Sequence, residues 1–75
     1  MSHDKLAYMA NQIGRFFQSQ KTATAVHSIE DHLRKYWDPR MRGQLIDHLR
    51  AGGEGLSPVV RAAVARLSQS EATTS

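Results

Sequence analysis

Two short pairs, Asp38-Pro39 and Ser57-Pro58, constrain this chain more than any other feature. Each sets a residue that can cap free backbone N–H groups directly before a proline. Proline's fixed φ suits the first position of a helix, and its missing N–H costs nothing there. The residue before a proline also avoids helical geometry, so a helix entering either pair must stop. No other proline occurs among the 75 residues. The two pairs exclude one long coiled coil and cut the chain into helix-sized pieces.

Apolar spacing fills those pieces. Leu6, Met9, Ile13 and Phe16 follow three-four-three spacing, widened by Phe17, which predicts a helix of about fifteen residues. Asn11, Gln12, Arg15 and Gln18 fall off that stripe. Gly14 within it costs about 1 kcal/mol relative to alanine in an exposed helix, so it either admits a close neighbour or is simply tolerated. "SQKTAT" reads as a loop. Val26, Ile29, Leu33 and Tyr36 then resume the spacing in a second helix, starting near Thr22 or Thr24 with a threonine cap and ending at Tyr36 or Trp37. From Pro39 a third helix turns Met41, Leu45, Ile46 and Leu49 inward, and "AGGEG" closes it, with Gly52 or Gly53 taking the left-handed cap. Val60, Ala63, Val64 and Leu67 make a fourth, shorter stripe. "SQSEATTS" has one alanine as its only apolar residue and reads as a disordered tail. The expectation is an all-α fold: a small compact or partly open bundle of four short helices, with one domain over residues 1–68 and a tail over 69–75.

A chain of this length buries only roughly 60% of its unfolded surface and is marginally stable without help. Cysteine is absent, which removes disulfides and thiolate metal sites from the options. Unusually good helix packing or a partner remains. No apolar run approaches the ~18 residues of a membrane span, and "MSHDKLAYMANQIG" lacks a signal-peptide layout. A soluble, cytoplasmic protein with no membrane partner is expected.

Chemistry-bearing patterns are scarce. His27 and His32 stand five apart, on different faces of a helix, and His48 has no carboxylate cluster near it in sequence, so packed or solvated histidines are expected rather than a metal site. "AGGEG" follows no strand and precedes no Lys-Ser/Thr, which suits a helix cap rather than a phosphate loop. Glu30 and Asp31 are adjacent and diverge, and are expected to be solvated. No catalytic, cofactor-binding or metal-binding residue is assigned.

The stretch "KYWDPRMR", residues 35–42, stands apart. Residues 34–50 hold five cations, Arg34, Lys35, Arg40, Arg42 and Arg50, against Asp38 and Asp47, and so carry the whole net charge of +3. Tryptophan, tyrosine and arginine are the types enriched at interface hot spots, and methionine at interfaces generally. Tyr36, Trp37, Arg40, Met41 and Arg42 are therefore candidate partner-binding residues. Phe16 and Phe17 join them, because two adjacent phenylalanines cannot both face one small core. The plain alternative is that Trp37 closes the core and the arginines are merely wet. As a docking anchor, Trp37→Ala should weaken co-purification more than it lowers the melting temperature. A helix-turn-helix reading, with Arg40, Arg42 and Gln44 facing nucleic acid, is disfavoured by Asp38 and Asp47 on the same element. The phenylalanine face also allows a homodimer when the chain is isolated.

The segments "KLAYMANQIGRFF", "LRKYWDPRMR" and "GGEGLSPVVRAAVARL" together resemble the delta subunit family of bacterial NAD-dependent, molybdenum-containing formate dehydrogenases. The resemblance runs from Lys5 to Leu67 and rests on Met9 to Gly14, Trp37 to Arg42, and Gly55, Leu56 and Pro58. It implies a non-catalytic accessory subunit that binds the large alpha subunit and aids assembly or stability of the complex. A transient factor for molybdenum cofactor insertion is the other role it allows. The complex it implies carries bis-molybdopterin guanine dinucleotide and iron–sulfur clusters in alpha, with flavin (FMN) and further clusters in beta and gamma passing electrons to NAD. No cofactor is expected in this chain, and no nucleic acid as partner.

Overall fold

Side-chain caps start the first and third helices, and a pair of glycines ends the third. The computed structural model describes residues 2–73, with side chains described through Ser70. Helix α1 (His3–Phe16) starts where Ser2 Oγ accepts the Lys5 N–H at 3.3 Å. Asp4 in its first turn and Arg15 in its last suit the helix dipole. Helix α2 (Thr22–Tyr36) begins at the expected place, but without a threonine cap: Lys21 holds the cap position and its side chain makes no capping bond. Burial of Ala25 and Val26 in the first turns fixes the start instead.

Helix α3 (Pro39–Arg50) follows the sequence closely. Asp38 Oδ1 accepts the Met41 N–H at 2.8 Å, with Pro39 directly after the cap. At its far end Gly52 N–H donates to Leu49 O at 3.0 Å and Gly53 N–H to His48 O at 2.9 Å. This nested pair is a Schellman closure, which requires the positive φ of Gly52, 123°, and Gly53 continues in the left-handed region at 64°. Arg61 adds a clasp from α4, donating to the carbonyls of Gly52 at 3.0 Å and Gly53 at 2.9 Å. Helix α4 (Pro58–Thr73) runs beyond Leu67 into the stretch expected to be a tail. No proline or glycine interrupts it there, and Arg50 Nη2 meets Ser68 Oγ at 3.4 Å. The final part of the expected tail, residues 74–75, lies outside the described residues.

All four helices supply the core. Leu6, Ile29, Leu33, Leu45, Val60, Val64 and Leu67 are fully buried. The radius of gyration of 11.1 Å matches a compact domain of this length, about 11 Å, so the bundle is closed rather than partly open. Helix α2 packs mainly on α4, and α1 mainly on α3. Where α1 meets α4, Gly14 is decisive: a Cβ added there would lie 2.6 Å from Val60 Cγ2. The glycine admits a close neighbour.

Two polar contacts tie distant elements together. Asn11 lies off the apolar stripe, yet its Nδ2 donates to Gly55 O at 2.7 Å and its Oδ1 accepts the Ser57 N–H at 3.0 Å. It thereby pins the α3–α4 loop to α1. Glu30 was expected in solvent but is buried, because α4 brings Arg66 to it. Its carboxylate takes Arg66 Nε at 2.8 Å and Arg34 Nη2 at 2.6 Å. Burial pushes the Glu30 carboxyl up, but the two arginine hydrogen bonds and their charges outweigh it, and the group stays below its ordinary value.

Candidate docking surface

The C-terminal ends of α1 and α2 converge and bring four rings together. Phe16 and Phe17 meet edge to face with centroids 5.0 Å apart, Phe17 reaches His32 at 6.4 Å, and His32 reaches Tyr36 at 4.7 Å. Phe17 turns partly inward onto the core, while Phe16 and Tyr36 remain 78% and 74% exposed. The expectation that one of the two phenylalanines faces outward is met by Phe16.

Beside this ladder lies a groove of about 340 Å³, lined by Met9, Gln12, Ile13, Phe16, His32 and Trp37. Met9, Ile13 and Phe16 come from successive turns of α1, His32 from α2, and Trp37 from the residue that ends α2. Trp37 is only 7% exposed and belongs to the core cluster with Leu33 and Leu45. It is a core residue that presents one side to the groove, not a projecting anchor. Its extended backbone, φ −92° and ψ 134°, turns the ring inward just ahead of the Asp38 cap.

The other residues of the basic corner divide by role. Met41 is half-buried against the core. Arg42 reaches back across the corner and donates from Nη1 to Arg34 O at 2.6 Å, which covers a carbonyl in the last turn of α2. That contact ties the end of α2 to the start of α3 across the corner. Arg40 is exposed. The structure therefore gathers Phe16, Phe17 and Tyr36 into one patch, places Trp37 under the adjoining groove, and assigns Arg42 to the corner itself.

Sequence reading overlooked Met9, Ile13, Gln12 and His32 as groove residues. For His32 a signal was present: it stands four residues before Tyr36, so the two share a helix face. Elsewhere, His48 is buried, its Nε2 lies 2.7 Å from Glu54 O, and its ring meets that of His3 edge to face at 5.2 Å. Because a carbonyl only accepts, Nε2 carries the proton in that contact. Among the described residues no group of three or more His, Cys, Asp or Glu side chains is arranged to hold a metal ion. No helix among them is long and apolar enough to cross a membrane.

A family model described as the NADH-dependent formate dehydrogenase delta subunit FdsD matches residues 5–64. The chain belongs to this family. The matched stretch of the delta-subunit family runs from α1 into α4 and includes every residue lining the groove. No curated protein and no solved structure matches the chain.

Proposed function

We propose that this delta-subunit family member is a non-catalytic, cytoplasmic component of formate dehydrogenase that docks on the large alpha subunit and stabilises the active assembly. The observation that carries the reading is the exposed ring patch of Phe16 and Tyr36 beside an apolar groove, in a chain whose family name already ties it to the enzyme. An isolated domain of this size gains little from leaving two large rings in water. Covering them on a partner stabilises both the contact and the folded domain through mass action. The groove is open and lined mainly by hydrocarbon and ring atoms, the kind of surface that the fully buried centre of a protein interface covers.

On this reading the molybdenum cofactor, the iron–sulfur clusters and the flavin that passes electrons to NAD are held by alpha and its beta and gamma partners. This chain contributes no cysteine to ligate a cluster. The test is purification through a tag on this chain, with subunit masses and formate-dependent NAD reduction read on the same fractions. Alpha subunit in constant ratio through the active peak is the expected result. Alpha subunit found only in inactive, cofactor-poor fractions would make the chain a transient insertion factor, and no large subunit at all would sink the docking reading.

A further inference from the structure

We infer that the groove between α1 and α2 seats one amphipathic helix of the partner, with large apolar side chains on one face and acidic residues near the end that meets the Asp38-Pro39 corner. The inference rests on the docking reading above and specifies what occupies the site.

Shape argues for a helix. Met9, Ile13 and Phe16 stand at i, i+4 and i+7 along α1 and form one ridge, and Trp37 closes the floor beneath it. A ridge of that spacing accepts the ridge of a second helix, anchored by residues one turn apart. The described residues form no strand, so they offer no sheet edge on which an extended segment could add. The groove, about 340 Å³, lies open to solvent and takes a row of side chains without enclosing what it binds.

Charge fixes the sign of the flank at the corner. No carboxylate lines the groove. Arg40 follows Trp37 across the Asp38-Pro39 corner and is exposed, within the stretch 34–50 that carries the whole net charge of +3. Among the described residues no carboxylate pairs with Arg40. Two acids on this side of the chain are already engaged: Asp31 holds Lys35 at 3.0 Å, and Asp38 caps Met41 N–H at 2.8 Å. The charge left for a partner is positive, so Asp or Glu beside the apolar anchors completes it. Gln12 and His32 supply the polar groups within the lining that set the register of such a helix.

The experiment uses the full chain in the native complex. A photo-crosslinking phenylalanine analogue replaces Phe16, and the joined peptide is identified by mass. The expected product is one helical stretch of the large subunit with Asp or Glu within a turn of the joined residue. In parallel, Phe16→Asp and Arg40→Glu should each reduce the large subunit retained by the tagged chain at least tenfold, with the helical melting curve preserved. The Arg40→Glu loss should shrink as salt is raised, because screening removes the repulsion it introduces. Tyr8→Ala, at an exposed ring on a different groove with Glu54 and Gly55, should change retention less than twofold. Cross-links to a neutral or basic segment, to an extended strand or to a second copy of this chain overturn the inference while the complex still forms. Retention sensitive to Tyr8 and indifferent to Phe16 overturns it equally. A wild-type chain that retains no large subunit instead defeats the docking reading itself.

Discussion

Glu30 on α2 accepts a 2.8 Å hydrogen bond from Arg66 on α4, thirty-six residues further along the chain. With Arg34 on its other oxygen at 2.6 Å, this carboxylate sits between two guanidinium groups at the main helix–helix contact of the bundle. Glu30→Gln should cost about 1–2 kcal/mol, the lower part of the range for charged hydrogen bonds, because both arginines are about half-exposed and screened.

The same group sets an acid limit. Its carboxyl is held below the ordinary value of 4.5 in the folded chain, so its stabilising contribution is present above that value. The contribution is lost as pH falls through the lower, folded-state value. Thermal melts of the wild-type and Glu30→Gln chains should differ at pH 7 and converge in acid below 4.5. A gap that stays constant down to the lowest pH would show that the carboxylate's charge contributes nothing.

Gly14 and Val60 compete for one space. Gly14→Ala gains helix propensity worth about 1 kcal/mol, but its Cβ meets a fully buried valine methyl at 2.6 Å. Overpacking of this kind costs about 1–3 kcal/mol, so the net effect should be destabilising by about 1 kcal/mol. In a double-mutant cycle with Val60→Ala the two changes should be non-additive, the second relieving part of the first. Additive denaturant midpoints would mean that α1 and α4 separate freely at this point.

Asn11→Ala removes both bonds that pin the α3–α4 loop and should cost about 1–3 kcal/mol. Hydrogen exchange is the sharper readout: the Ser57 amide, which donates to Asn11 Oδ1, should lose protection while amides in the middle of α2 keep theirs.

Trp37→Ala should destabilise the isolated domain by about 3–5 kcal/mol, as expected of a buried large aromatic. Phe16→Ala, at a ring mostly in water, should move it by no more than about 0.5 kcal/mol. Paired melting curves check both values. The contrast makes Phe16, rather than Trp37, the position at which docking can be tested without disturbing the fold.

The legible parts of this structure are those governed by neighbours in the chain. Asp38-Pro39 specified the start of α3 because cap and proline act within a few residues, and the glycines of "AGGEG" specified its end for the same reason. The start of α2 carries no such device and is set by burial of Ala25 and Val26. The burial of Glu30 and the two bonds of Asn11 went unforeseen because their partners lie 36 and 44 to 46 residues away, beyond what helical spacing can report. The candidate surface was legible in part for the same reason: adjacency forced Phe16 and Phe17 apart, whereas the depth of Trp37 depends on how α1 crosses α2. Arg42 read as a candidate partner contact, and only the folded corner reveals that it also covers a carbonyl in the last turn of the helix before it.

The ring ladder from Phe16 through Phe17 and His32 to Tyr36 has a consequence for the kinetics of assembly. Each ring leans on the next before any partner arrives, so part of its rotamer freedom is lost at folding rather than at binding. Immobilising a side chain during association costs about 0.5–1.5 kcal/mol, and a patch already ordered avoids much of that cost. A partner then meets a surface close to its bound shape, and changes within the ladder should act on how long the complex lasts more than on how quickly it forms.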